Sequence, residues 1–316
     1  MNILITSGGK RVDIIQEFQR ALGKKGKVYI TDTTPHNAGR FFADGLCLVP
    51  KITDPKYTST LKRIVKQKKI TLLCPVNDSE LTLLAKEKEH LAALGCTVFI
   101  SDSRAIGIGR DKRKTAAFLE RLGVKTPKVL AYKEVKKFPV FVKPVDGSSS
   151  KHAYRIDTKE ELMVLHKRVP NALLLEYVEG QEYSIDCLGD LEGKPIAVIP
   201  RRRVEITNGI STKSIVDLDA AIISDCKKIM EALPVVGPAV LQCIKTPRGN
   251  YFLEFNLRFG GGSLVGSRAG GDFFKKIIGM KQGKKYSFST RGIHNGFAMV
   301  AYLEHIFYDK SYRIRS

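Results

Sequence analysis

The sequence has no tryptophan, and its six cysteines and six histidines are thinly spread over 316 residues. Cys47, Cys74, Cys96, Cys187, Cys226 and Cys243 form no CxxC pair, and neither they nor the histidines show the spacing of a zinc site. Cys74 in ITLLCPV and Cys243 in VLQCI sit among apolar neighbours, so the set is expected to be small buried side chains in a reducing cytoplasm. No apolar run approaches the ~20 residues that cross a bilayer. The opening MNILITSGGKR has no basic stretch before its short apolar run, so neither a membrane span nor a secretory leader is expected. A dinucleotide fingerprint is missing too. The first turn reads Ser7-Gly8-Gly9-Lys10-Arg11 rather than GxGxxG, and Asp32 alone does not supply the motif. There is no low-complexity linker and no repeat of fixed period.

Acidic residues are also scarce: 32 Asp and Glu stand against 53 Lys and Arg, a formal charge of +21. The excess is spread widely, and the local run Lys62 to Lys69 reads largely as the solvated face of an amphipathic helix. An anionic small substrate is therefore favoured over nucleic acid. At this length, with 43% hydrophobic residues, the chain can bury a sizeable core in two or three units.

The first hundred residues alternate strand and helix. Asn2 to Thr6, Lys27 to Asp32, Ile70 to Pro75 and Thr97 to Ile100 read as short apolar strands; Val12 to Leu22 and Ser79 to Leu94 read as helices. Such alternation predicts a parallel sheet covered on both faces, with ligands at the carboxyl ends of its strands. Further on, a helix is expected over Lys112 to Leu122 and strands over Phe138 to Pro144 and Leu173 to Val178. From Glu182 onward the pattern is mostly β with one helix, Ala220 to Leu233.

The densest chemistry lies between Gly237 and Gly262. Two strands, Val240 to Ile244 and Tyr251 to Asn256, flank a Pro- and Gly-containing turn and read as a hairpin. Centred on Arg248, it sets Gln242 opposite Glu254, although a bulge would shift the pairing by one residue. Glu254 and Asn256 share a strand face, so three oxygen-bearing side chains converge, a set suited to Mg²⁺. Arg258 follows on that face and can meet a phosphate or carboxylate with two hydrogen bonds. Spacing alone leaves a merely wet sheet face as an equal alternative. Lys143 ends an apolar strand before the small-residue loop Asp146-Gly147-Ser148-Ser149-Ser150-Lys151, which can wrap phosphate oxygens or be a plain turn.

In order, DK, GVKTP, FPVFVKP, the Gly/Ser loop, LEYVEGQEYSID, LQ and LEFNLR resemble the ATP-grasp superfamily. The resemblance runs from the leading domain to about Gly270 and is strongest to short, single-module relatives of the carbamoyl-phosphate synthase large subunit, amino-acid ligases among them. It implies an α/β leading domain (residues 1–100) followed by the two α+β lobes of the ATP-grasp fold, a small one (101–180) and a large one (181–316). It implies an ADP-forming carboxylate–amine ligase working through an acyl-phosphate, with small-molecule carboxylate and amine substrates. A kinase-like phosphotransferase is the alternative, and a homodimer is left open.

By the same resemblance, Lys112, Lys143, Glu176, Tyr177, Val178, Glu179 and Glu182 would hold ATP, with Ser148, Ser149 and Ser150 covering its phosphates. Gln242, Glu254 and Asn256 would carry two Mg²⁺ ions, with Mn²⁺ as a substitute, while Arg258 and Lys151 would serve the transfer. His152 stands where relatives commonly have a glycine, and Leu257 where they have proline. For the substrates, Arg201 to Gly209 reads as a candidate acceptor-site loop, its three arginines able to hold a carboxylate or sugar phosphate, or equally as an exposed strand, with Arg203, Gly261 and Ser263 as pocket residues. At neighbouring strand ends, Arg11 could hold the carboxylate of an amino acid and Asp78 or Glu80 its ammonium. Alternatively Asp78 and Ser79 simply cap the next helix.

Overall fold

The computed structural model describes residues 1–147 and 151–315. Five strands, β1 (Asn2–Thr6), β2 (Lys27–Asp32), β3 (Gly45–Leu48), β4 (Ile70–Pro75) and β5 (Thr97–Val98), form an all-parallel sheet in the order β3-β2-β1-β4-β5. Their continuous apolar runs follow from burial on both faces: Ile3 and Ile5 point to one core, Leu4 to another. The helix expected over Ser79 to Leu94 is two helices, Asp78–Lys86 and Lys88–Ala93, broken at Glu87. Strand β3 and the helix Lys56–Gln67 lie in a stretch where only a charge run was legible; that run is indeed the outer face of the helix, with Tyr57, Leu61, Ile64 and Val65 buried beneath it.

A small antiparallel sheet follows, β7-β6-β8, made of β6 (Val140–Pro144), β7 (Tyr154–Ile156) and β8 (Ala172–Glu176). It has its own core around Val140, Val142, Ile156 and Leu174, backed by the helix Lys159–Arg168. The large antiparallel sheet runs β13-β12-β9-β10-β11-β14. Its strands are β9 (Gln181–Gly189), β10 (Pro195–Thr207), β11 (Ile210–Val216), β12 (Gly237–Thr246), β13 (Gly249–Asn256) and β14 (Ala298–Val300).

Beyond Glu182 there is not one long helix but two: besides Ala220–Ala232, Phe273–Lys281 packs back on the leading sheet. Phe274 meets Phe18 edge-on at 4.9 Å and stacks on Phe259 at the same distance. On the other side Ile185, Cys187 and Leu241 of the large sheet join Leu4 and Leu73 in one core. The leading and large sheets are thus tied through continuous apolar packing, while the small sheet stands on a separate core. All six cysteines are buried.

Candidate functional site

The hairpin delivers the pairing expected from its sequence, by a different route. Its turn has two residues, Pro247 and Arg248, which taken alone would pair Gln242 with Leu253. A bulge between Gln242 and Cys243 adds one residue, Leu253, on β13 and restores Gln242 opposite Glu254, with Asn256 opposite Val240. Gln242, Glu254 and Asn256 line one cleft, and the Asn256 amide donates to Glu254 Oε1 at 3.2 Å.

Cations crowd that carboxylate. Lys112, at the start of the helix Lys112–Leu122, places Nζ 4.0 Å from Glu254 Oε2 while donating to the Gly147 carbonyl at 2.6 Å. Lys143, near the end of β6, is buried and faces the same region. Burial pushes the Glu254 carboxyl up, but Lys143 and Lys112, aided by Asn256 and Arg258, outweigh this and hold it below the usual carboxylate range. For Lys143 burial wins: it pulls the ammonium down to about 8 against the opposing pull of Glu254.

The cleft has two connected parts. One reaches from Lys112 and Gly147 past Gln242, Glu254 and Asn256 to Arg201, Arg258 and Gly260–Gly262. The other lies under the small sheet between Phe141, Lys143 and Leu253, with Lys151 and Glu182 also lining it. Both share Lys112, Gly147, Arg203, Gln242 and Glu254, so a phosphate chain could run between them. A donor set of one carboxylate and two amides suits Mg²⁺, which takes few protein ligands and relies on substrate phosphates. Among the described residues no group of three or more His, Cys, Asp or Glu side chains is arranged to hold a metal ion by itself.

Other candidates are placed differently. Glu176 turns its carboxylate to the Lys128 amide (3.0 Å), Tyr177 stacks under Arg155, Val178 is buried and Glu179 is exposed. None of these four side chains lines the cleft. Ser148, Ser149 and Ser150 lie outside the described residues. His152 adopts φ 57°, the left-handed region in which a glycine is at ease and a histidine is strained by about 1 kcal/mol or more. The Arg201–Arg203 segment is not a loop but part of β10, and two of its three arginines are buried. Arg203 is occupied by Glu182 (2.9 Å) and the Gly209 carbonyl (2.8 Å). Arg201 is 2% exposed, paired with the fully buried Asp186 at 3.0 Å and bonded to Ser214. Gly262 lies flat on that guanidinium, where a Cβ would stand 3.1 Å from Nη1. Gly261 is exposed at the cleft, whereas Ser263 is buried and accepts from the Gly260 amide at 2.7 Å.

Arg11 and Glu80 do not meet in one site. Arg11 is turned onto Asp13 (2.8 Å) and the Gly260 carbonyl (2.9 Å), where it pins the glycine loop. Glu80 is buried in a separate hollow at the strand ends and accepts from Thr6, Ser7 and Tyr57, each at 2.7 Å. Burial raises its carboxyl, and the three hydroxyls only partly offset this. Glu80→Ala is expected to lower stability by about 1–3 kcal/mol, because the buried hydroxyls of Thr6 and Tyr57 and the half-buried one of Ser7 lose their acceptor, while the KM for ATP stays unchanged. Urea unfolding together with steady-state kinetics checks both. The helix cap is Asn77, whose side chain accepts from Ser79 N at 3.1 Å, not Asp78 or Ser79. Asp78 instead reaches Arg258, a pairing across 180 residues that no local pattern announces.

Residues 3–99 match the PylC-like N-terminal domain family, and residues 168–304 match a family of ATP-grasp proteins in the biosynthetic pathway with the Ter operon. The 3-methyl-D-ornithine–L-lysine ligase of Methanosarcina barkeri is 30% identical over 268 residues, 82% of this chain and 67% of that protein. The chain belongs to the ATP-grasp ligases. Among solved structures, this ATP-grasp ligase superposes on biotin carboxylase from Campylobacter jejuni with a TM-score of 0.76 at 15% identity, covering 93% of this chain and 73% of that one. It superposes on the L-amino acid ligase from Bacillus licheniformis with a TM-score of 0.71 at 20% identity, covering 93% and 77%. These likenesses establish the fold of the α/β leading domain and the ATP-grasp part. With ligases as its relatives, the enzyme forms carbon–nitrogen bonds at the expense of ATP, and the phosphotransferase alternative is not retained. No helix among the described residues is long and apolar enough to cross a membrane.

Proposed function

We propose that this ligase activates the carboxylate of an amino acid and joins it to an amine of a second small molecule. The observation that carries the reading is the convergence of Lys112, Lys143, Gln242, Glu254, Asn256 and Arg258 on one connected cleft. The amino-acid class is supported by the similar ligases, whose names state ornithine- and lysine-type substrates or D-alanine.

In this reading the small lobe (residues 101–180) and the large lobe (181–316) close on ATP, with the leading domain (1–100) behind the substrate end. Lys143 and Lys112 hold phosphate oxygens, and the loop of Ser148, Ser149, Ser150 and Lys151 covers them. Glu182 borders the nucleoside with its side chain, and Glu176 to Glu179, whose side chains do not line the cleft, would meet it through their backbone. Gln242, Glu254 and Asn256 would hold magnesium, two ions in this reading, for which manganese is a substitute. The metal would supply charge neutralisation at the transferring phosphoryl group. Arg258 steadies the same charge from the substrate side. A carboxylate oxygen attacks the γ-phosphorus and the bond to the β-phosphate oxygen breaks, releasing ADP. The amine nitrogen then attacks the acyl carbon, the carbon–oxygen bond to phosphate breaks, and the nitrogen loses a proton. The setting is cytoplasmic in this reading.

A coupled assay of ADP release over pairs of amino acids tests it. Turnover is expected only when a carboxylate and an amine are both present, with an amide as product. Strong turnover with one partner alone, accompanied by a stable phosphorylated product, would overturn the ligation step.

A further inference from the structure

Arg258 is held by a residue from the other end of the chain. Its Nε donates to Asp78 Oδ2 at 3.1 Å, and Nη2 donates to the same oxygen in a short ion pair. Nη1 donates to the Phe259 carbonyl at 3.0 Å, and Nη2 leans on Asn256 Oδ1 at 3.4 Å. Each side chain of the pair is 17% exposed, so the contact is partly shielded from water and salt. Asp78 opens the helix Asp78–Lys86, but Asn77 does the capping, which leaves the Asp78 carboxylate unneeded by its own helix. That helix stands on the leading sheet. The sheet in turn is locked to the strand end carrying Arg258, because Phe259, the next residue, stacks on Phe274 and meets Phe18 edge-on in the core beneath the sheet.

We infer that Asp78 is a positioning residue for the ligation: the leading domain supplies it as a fixed backstop that aims the Arg258 guanidinium into the cleft. The inference rests on the ligase reading above. The charge arrangement shows what the backstop prevents. Glu254 is a further carboxylate in the same cleft, one side chain away: Asn256, on which Arg258 leans, donates to it at 3.2 Å. Without Asp78, the guanidinium would be drawn toward Glu254 and compete for the oxygens reserved for the metal. With Asp78, Arg258 stays on the substrate side and Glu254 remains open. Both residues line the same cleft, so the pair sits at the reacting end rather than in a remote interface.

The test uses the full chain and follows ADP release and hydroxamate formation with hydroxylamine as trapping amine over a panel of amino acids. For Asp78→Asn, which keeps shape and removes charge, kcat is expected to fall by about 10–100-fold, the scale of a misaimed catalytic group. The KM for ATP should stay within about threefold, since the interaction lost is one used in the transition state. Asp78→Glu should recover part of the loss, and thermal unfolding should show both variants folded. Wild-type hydroxamate formation by Asp78→Asn would overturn the inference. So would a loss that Asp78→Glu does not relieve at all in a folded protein, because a role confined to structure gives that result. If the wild-type chain forms neither ADP nor hydroxamate with any amino acid, the ligase reading itself falls, and the inference with it.

Discussion

Glu254→Gln is expected to abolish ADP formation, a loss of at least about 10²-fold, while leaving the protein folded. The side chain stands opposite Gln242 and is hydrogen-bonded to Asn256, and two lysines hold its carboxyl low. Glutamine keeps the size and one oxygen but removes the charge that a hard cation requires. It also leaves Lys112 and Lys143 facing each other without the anion that balances them, so ATP is expected to bind without turning over. Phosphate release measures the first effect and calorimetry with ATP the second. Near-normal turnover would show that the metal sits elsewhere. Thermal unfolding separates loss of chemistry from loss of fold, since Glu254 is at the cleft surface and not in either large core.

The second large effect concerns Lys143. Lys143→Ala is expected to weaken ATP binding by about 10–100-fold, because a charge-assisted contact of about 1.5–3 kcal/mol is removed from a desolvated site. The wild-type protein carries a pH signature of the same contact. Burial brings the Lys143 ammonium down to about 8 in the empty site, so the group is charged below that pH and largely neutral above it. ATP affinity should therefore decline as pH rises through about 8, and near that pH binding should draw a proton from the buffer, since phosphate favours the charged form. Calorimetry in buffers of different ionisation enthalpy reads the proton directly. The sign for stability runs the other way. The folded value lies below the unfolded one, so between about 8 and the ordinary lysine range the unfolded chain binds more protons and this group's contribution to stability rises with pH. Unchanged ATP affinity in Lys143→Ala, or no proton uptake, would make Lys143 a buried strand end and nothing more.

Several features of this protein were set by residue pattern alone. Strands β1, β2 and β4 and the helices Val12–Leu22 and Lys112–Leu122 lie where periodicity places them, because their apolar spacing already encodes which faces are buried. The hairpin and its three oxygen-bearing side chains were legible too, since partners close in sequence need only a turn to meet. The bulge between Gln242 and Cys243 was needed to make that pairing correct, and spacing could foresee only that one was possible. Helix Phe273–Lys281 was not legible: it is apolar on more than one side because it fills the gap between the leading sheet and the large sheet, and such a helix loses its amphipathic pattern. Tertiary structure alone decided how charges were shared out. Arg11 was offered as a substrate ligand and is spent on the glycine loop, Arg201 is sunk against Asp186, and Glu80 is enclosed by three hydroxyls. The physical reason is that a side chain's type fixes what it can bind, whereas which partner reaches it first depends on groups brought together from distant parts of the chain. Asp78 and Arg258 are 180 residues apart, and only the packing of the leading sheet onto the large one places them within a hydrogen bond.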